Sequence, residues 1–368
     1  MLKNAFFFLL ISIFLFCSCK EKIQTPYARL NGVLKSDQDT IKLAVIGGSI
    51  TYGSGASEWH NSWANVFKKR LEKQLNKTVL IDNFGIGATS SDFGRYRIQD
   101  ALKTDPNLVI VEFAVNDSEI DSLSILRNHE QMYLQLFESK SAFMALNLNI
   151  ENGFTRAPII NQVLENYKIP VVRTQLKTGD FVDGVHPNDK GHEMIAQHLL
   201  SYVEGVTEDT KFQATYVKPK ELIHPLFKRI ERLSLNNWKV ENWKLKKESP
   251  GYYLEDYSEL ISEESDTMKI EFYGSDIAIV TLARKFDDPQ NGKFNVKIDN
   301  GRWVEVNNYW QEPWTKIKTT VIAEDLDEQL HELTLVTIPY MNGNQKIIKQ
   351  EIVDILISSN SDTVILKD

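Results

Sequence analysis

From residue 41 to about residue 204 the chain alternates short apolar runs with amphipathic stretches. The runs Ile41–Ile46, Val79–Asn83, Leu108–Ala114, Phe143–Leu148 and Ile169–Thr174 are nearly continuous in apolar residues. Strands covered on both faces read this way. Between and after them, Asn61–Gln74, Asp92–Lys103, Ile120–Glu138, Pro158–Tyr167 and Asp189–Tyr202 carry apolar residues at helical spacing. The alternation predicts an α/β domain built on a parallel five-stranded sheet flanked by helices. In such sheets ligands bind beyond the carboxyl ends of the strands, so candidate chemistry is sought just after each strand.

Past residue 210 the period changes. Lys218–Asn242 is charged and reads as a linker with a short helix. From Thr267 the chain breaks into short strands of alternating polarity: MKIEFYG, DIAIVTLA, KFNVKID, RWVEVNN, HELTLVTI, EIVDILIS and DTVILK. Turn signals at Asp299-Asn300-Gly301 and Asn342-Gly343-Asn344 separate them. This texture predicts an all-β sandwich or jelly roll. The expected division is 1–19 signal, 20–38 polar tether, 39–207 α/β domain, 208–265 linker and start of the second domain, and 266–368 β-sandwich.

The first nineteen residues have their own pattern. Lys3 precedes an uncharged, almost wholly apolar run, Ala5–Phe16, which ends at Phe16-Cys17-Ser18-Cys19. A membrane span takes about 20 apolar residues, so this run suits an export signal better. Small residues before a cysteine resemble a lipoprotein signal-peptidase site, with Cys19 as the lipidated residue. The expectation is an exported protein anchored to a bacterial membrane through Cys19. An ordinary cleaved signal is the competing reading.

Composition narrows the rest. A net charge of −8 over 368 residues lacks the basic excess of a general nucleic-acid binder, so no nucleic-acid partner is expected. Two cysteines, both in the signal, exclude a disulfide scaffold and a cysteine-based zinc site.

Four blocks after the strands carry candidate chemistry. Gly47-Gly48-Ser49 follows the first run and places Ser49 at a helix N-terminus, where backbone N–H groups favour developing negative charge. Asn83 to Thr89 is rich in small residues that can aim backbone N–H groups into a cleft. Val115-Asn116-Asp117 offers the Asn116 amide as an oxyanion donor, with helix capping as the competing role. Asp117 reads as a cap or brace, and Glu112 as a buried structural carboxylate. Asp183-Gly184-Val185-His186-Pro187 puts Asp and His three apart, close enough for Asp183 to accept from His186 Nδ1 while Nε2 takes a serine proton.

Together these blocks resemble the SGNH hydrolase superfamily, the GDSL-like esterases, over roughly residues 40–204. The resemblance implies a flavodoxin-like, doubly wound sheet. It implies Ser49 as nucleophile, His186 as base and Asp183 as its orienting acid. It further implies an oxyanion hole from the backbone N–H of Ser49, a block-two backbone N–H and the Asn116 amide, with no metal or cofactor. Two positions depart from the family pattern. Gly48 stands where Asp is usual. The block-two glycine aligns with Ala88, with Gly87 as the alternative register. An alanine supplies the same N–H, but a positive φ there would strain it.

Other residues are weighed against plainer roles. His192 and His198 read as helix-surface or packing residues, and His60 and His129 have no metal-spaced partners. Trp63 reads as core. Arg95 and Arg97 read as solvated helix arginines, with an anionic sugar as the alternative contact. Trp303, Tyr309, Trp310, Trp314 and Tyr340 offer rings for sugar stacking, against the usual role of strand aromatics in a core. The expected activity is a serine esterase that removes O-acetyl groups from a glycan. A lipase, lysophospholipase or thioesterase, and a non-catalytic glycan-binding lipoprotein, stay open beside it.

Overall fold

In the computed structural model the described residues are 22–151, 155–208, 215–223, 227–232, 243–246, 259–262, 267–285, 292–311, 315–338, 340–342, 345–347 and 350–360. Cys17 and Cys19, Trp314 and the run at 362–367 lie outside them.

The first domain comprises β1 (Lys22–Gln24), α1 (Pro26–Leu34), β2 (Thr40–Gly47), α2 (Ser49–Tyr52), α3 (Trp63–Leu75), β3 (Thr78–Gly85), α4 (Ser91–Lys103), β4 (Leu108–Glu112), α5 (Ser122–Glu138), β5 (Ala142–Ile150), α6 (Ala157–Asn166), β6 (Val171–Leu176), α7 (Asp189–Glu208) and β7 (Thr215–Val217). The central sheet runs β3-β2-β4-β5-β6 and every pairing in it is parallel. Side chains alternate across it. Leu43, Val45, Leu108 and Ile110 face one core with Leu30 and Leu34 of α1, Phe67 and Leu71 of α3, and Ile195, Leu199 and Val203 of α7. Ala44, Ile46, Val109 and Val111 face the other, with Ile98 of α4, Met132 and Leu136 of α5, and Val163 of α6. Two covered faces explain the continuous runs of β2, β4 and β5, whereas the edge strands β3 and β6, expected to be covered on both faces, expose several positions.

Several boundaries differ from the expected ones. β4 stops at Glu112, so Phe113 and Ala114 lead into the turn beyond it. β6 begins after Pro170, whose missing N–H suits a strand entry. α7 continues to Glu208 because Val203 and Val206 extend its buried stripe.

The expected tether is largely folded. Thr25 caps α1 by accepting from Ala28 N–H at 2.9 Å, and Pro26 takes the first helical position. Ala28, Leu30 and Leu34 are buried, and the Arg29 guanidinium donates to carbonyls at the end of α5. β1 pairs with β7 beyond α7. A few apolar positions at helical spacing suffice to dock a segment whose overall composition is polar.

The second domain contains β8 (Arg229–Arg232), β9 (Trp243–Lys246), β10 (Glu259–Ser262), β11 (Thr267–Gly274), β12 (Asp276–Lys285), β13 (Lys293–Ile298), β14 (Val304–Asn307), β15 (Tyr309–Trp310), β16 (Lys316–Ala323), β17 (Gln329–Ile338), β18 (Tyr340–Asn342), β19 (Gln345–Ile347) and β20 (Gln350–Ser359). A seven-stranded sheet around β12 and β20 faces a four-stranded sheet, β11-β17-β13-β14, over one apolar core. This is the expected sandwich. Residues 229–232 of the supposed linker form a strand on β20.

β12 is buried on both faces. Ile277 and Ile279 enter the sandwich core, while Ala278, Val280 and Leu282 pack on Ile86, Phe93 and Tyr96 of the first domain. Its continuous apolar run marks an interdomain contact. Charges close the joint: fully buried Arg95 of α4 pairs with Glu324 at 2.9 Å, and Arg127 of α5 binds Glu324 and Asp325. Lys316 pairs with Glu119, and Arg232 with Asp100.

Candidate active site

β2 delivers Ser49 to the first position of α2, a single turn that ends at Gly53. Ser49 is nearly buried, and its Oγ lies 2.9 Å from His186 Nε2. His186 Nδ1 lies 2.6 Å from Asp183 Oδ2. Asp183 Oδ1 also accepts from the backbone N–H groups of Val185 and His186, at 3.0 and 2.8 Å. Burial raises the Asp183 carboxyl, but the bonds from His186 and these two amides outweigh it, so its pKa lies below the ordinary carboxylate value. An ionised Asp183 keeps the His186 proton on Nδ1 and leaves Nε2 as the acceptor toward Ser49. The loop is closed on itself: Val182 N–H donates to His186 carbonyl, and Phe181 bridges to Pro187.

Asn116 opens a short 3₁₀ turn, Asn116–Glu119, after β4. Its side chain lies against Gly48. A Cβ built at Gly48 would sit 2.1 Å from Asn116 Oδ1 and 2.7 Å from Nδ2. The departure at Gly48 therefore has a steric cause, since the amide occupies the space a side chain would need.

Block two leaves the sheet as a tight turn. Ile86 N–H donates to Gly47 carbonyl, and Thr89 N–H to Ile86 carbonyl. Ala88 has φ 59°, the left-handed conformation that glycine usually fills. Asp117 joins this turn to block three. It is fully buried, accepts from Ser91 N–H at the start of α4 at 2.8 Å, and meets His129 Nε2 at 2.8 Å.

The structure thus gathers Ser49, His186, Asp183, Asn116 and the Gly87–Ala88 turn at the carboxyl ends of β2, β3 and β4 and on the loop after β6. Residues that the sequence left ambiguous hold this assembly. His192 is fully buried, accepts from Trp63 N–H through Nδ1 at 3.2 Å, and reaches Ser54 carbonyl through Nε2. Burial lowers its pKa to about 4, so it is neutral. Asp189 accepts from Ser57 and Asn61, tying α7 to the 53–61 loop. Trp63 is core, as expected, and its indole donates to Ile50 carbonyl.

Arg95 and Arg97 are both buried, in place of the expected solvated positions. Arg95 serves the domain joint and Arg97 donates to Phe84 carbonyl. Among the described residues no three His, Cys, Asp or Glu side chains are grouped to hold a metal. A groove of about 980 Å³ runs along the outer edge of β3 from Tyr52 and Trp59 to Arg97 and Arg232; Ser49 and His186 do not line it.

Residues 45–194 match the family model of the GDSL-like lipases and acylhydrolases. That stretch carries a GDSL-like domain of the SGNH hydrolase kind, and the class it defines is the carboxylic ester hydrolases. No curated protein matches the chain by sequence. Among solved structures, a two-domain esterase active on acetylated mannans matches with a TM-score of 0.76 at 19% identity, over 92% of this chain and 96% of that one. The same esterase co-crystallised with mannopentaose matches at 0.75 and 18%, over 93% and 97%. At these identities the likeness is one of fold, and it extends over both domains.

Proposed function

We propose that this protein is a serine esterase that removes O-acetyl groups from a polysaccharide or oligosaccharide. The observation that carries the reading is the hydrogen-bonded line from Ser49 Oγ through His186 to Asp183, beside the Asn116 amide. In this reading His186 Nε2 takes the Ser49 proton as Oγ attacks the ester carbonyl. The oxyanion forms between Ser49 N–H, the Gly87 or Ala88 N–H and the Asn116 amide. His186 returns the proton to the sugar oxygen as the alcohol leaves, and then activates water to release acetate from the acyl-enzyme.

The glycan part rests on different support. The likeness to a mannan-active esterase extends through the second domain, which makes acetylated mannan the first substrate to try. Tyr309, half exposed, and Trp310 form β15 at the end of β12, and Lys316, which pairs with Glu119 of the Asn116 turn, lies over the Trp310 ring. Aromatic rings linked in this way to the Asn116 turn suit the faces of sugars. Trp303 is exposed farther along the sandwich, under Lys297.

The chain is further proposed to be exported and anchored through a lipid on Cys19, on the strength of the apolar run and the cysteine that ends it. Loss of membrane association in Cys19→Ala tests that part.

The activity test is acetate release from acetylated mannan, acetylated xylan and p-nitrophenyl acetate by wild type and Ser49→Ala. Turnover on a glycan that disappears in the variant is the expected result. Turnover on p-nitrophenyl acetate alone keeps the esterase and rejects the glycan. Well-folded wild type that hydrolyses none of them rejects the reading.

A further inference from the structure

We infer that Glu112 is a positioning residue for Ser49: its buried carboxyl grips Thr51 and so fixes the turn that carries Ser49 against the strand leading to Asn116. The inference rests on the reading of Ser49 as the nucleophile. α2 is one turn of four residues, too short to be stable by itself. Its orientation has to be imposed from outside. Two neighbours hold its backbone: Asn83 Nδ2 donates to Thr51 carbonyl at 2.9 Å, and Trp63 Nε1 to Ile50 carbonyl at 3.0 Å. Glu112 holds a side chain, with Thr51 Oγ1 donating to Oε2 at 2.9 Å.

The contact is made possible by Gly47, which pairs with Glu112 in the parallel register. A Cβ at Gly47 would lie 2.2 Å from Thr51 Oγ1 and 2.4 Å from Glu112 carbonyl oxygen. Its absence lets α2 drop onto β4. Glu112 is 1% exposed and ends an otherwise apolar strand, LVIVE. An apolar residue would fill the space but leave the buried Thr51 hydroxyl without this acceptor. The strand that carries Glu112 also leads into Asn116, so one bond sets the nucleophile's turn against the strand behind an oxyanion donor.

The charged group facing the carboxyl is Asp117, itself bonded to Ser91 N–H and His129. Burial, with the Asp117 charge and against the Thr51 bond, pushes Glu112 up to about 7. The second oxygen, Oε1, has no hydrogen-bond partner among the described residues. A neutral acid tolerates that far better than a carboxylate does. The Thr51 bond itself favours the carboxylate, so the grip is kept and tightens as the pH rises through 7.

Four single variants and one double variant test the inference on p-nitrophenyl acetate, with Ser49→Ala as the control for the nucleophile. Thr51→Val should lower kcat about 10- to 100-fold with KM unchanged, as a misplaced nucleophile does. Thr51→Ser, which restores the hydroxyl, should come within about threefold of wild type. Glu112→Gln, which keeps an acceptor for Thr51 Oγ1 but cannot ionise, should come within about tenfold of wild type. Glu112→Leu should fall in kcat like Thr51→Val, and the double variant Thr51→Val/Glu112→Leu should fall no further. Wild-type kcat in folded Thr51→Val overturns the inference. So does an equal loss in Thr51→Ser, or a loss in Glu112→Gln as large as that in Glu112→Leu. If Ser49→Ala keeps full activity, the nucleophile reading has failed instead.

Discussion

Replacing Gly48 by alanine adds one methyl group and should remove most of the activity. The backbone accepts the change, since φ at Gly48 is −89°. The obstacle is the Asn116 amide: the new Cβ would stand 2.1 Å from Oδ1, 2.4 Å from Cγ and 2.7 Å from Nδ2. A relaxed contact needs about 3.5 Å, so the amide has to retreat by more than an ångström. An oxyanion donor works within about 2.7–3.1 Å of the developing charge, and losing one costs about 100- to 1000-fold in kcat. The fold should survive, because crowding of this size costs about 1–3 kcal/mol and Asn116 sits in a partly exposed turn. The assay is kcat and KM on p-nitrophenyl acetate for Gly48→Ala, Asn116→Ala and the double variant. Both single variants should lose kcat with little change in KM, and the double variant should be no worse than Asn116→Ala. Gly48→Asp, which installs the usual family residue, should behave like Gly48→Ala. Wild-type kcat in Gly48→Ala, or losses that multiply in the double variant, would refute the argument.

Three further outcomes follow from local physics. Ala88→Gly relieves a left-handed alanine, a strain of about 1–2 kcal/mol, against about 0.5–1 kcal/mol of glycine entropy; urea unfolding should show a net gain and kcat should change little. Protonating His192 puts a proton on the nitrogen that accepts from Trp63 N–H. Its pKa is lowered in the fold, from 6.5 to about 4, so its contribution is full above pH 6.5 and is lost as the pH falls through 4. That loss amounts to up to about 3 kcal/mol, and His192→Gln should flatten the corresponding part of the stability–pH curve. Glu324→Ala strips buried Arg95 and Arg127 of their shared partner. Calorimetry should find the joint weakened by about 3 kcal/mol, while a first domain intact in itself keeps its turnover of p-nitrophenyl acetate.

What could be read in advance depended on how local the cause was. The parallel sheet was legible because two covered faces leave a continuous apolar mark on its central strands. The residues around Ser49 were legible because each block directly follows a strand. β12 carried the same continuous mark, but the second face it covers belongs to another domain, and a pattern cannot say what lies across it. β16 was missed because Lys316, Lys318, Thr319 and Thr320 dilute its apolar positions at the edge of the joint. α1 was hidden in a polar stretch that docks through three apolar residues and a cap. Arg95 looked solvated because its partner, Glu324, is 229 residues away. The tight fit of Gly48 on Asn116 and of Gly47 on Thr51 could not be seen at all, since a glycine in sequence does not say which atom fills the space.

The central claim is that Ser49 is a nucleophile activated by His186. A fluorophosphonate probe tests it most directly, with intact mass and peptide mapping as the readout. The account predicts one adduct, on Ser49, that His186→Ala slows by several orders of magnitude and Ser49→Ala abolishes. An active enzyme that stays unlabelled, is labelled elsewhere, or labels equally fast without His186 would contradict it.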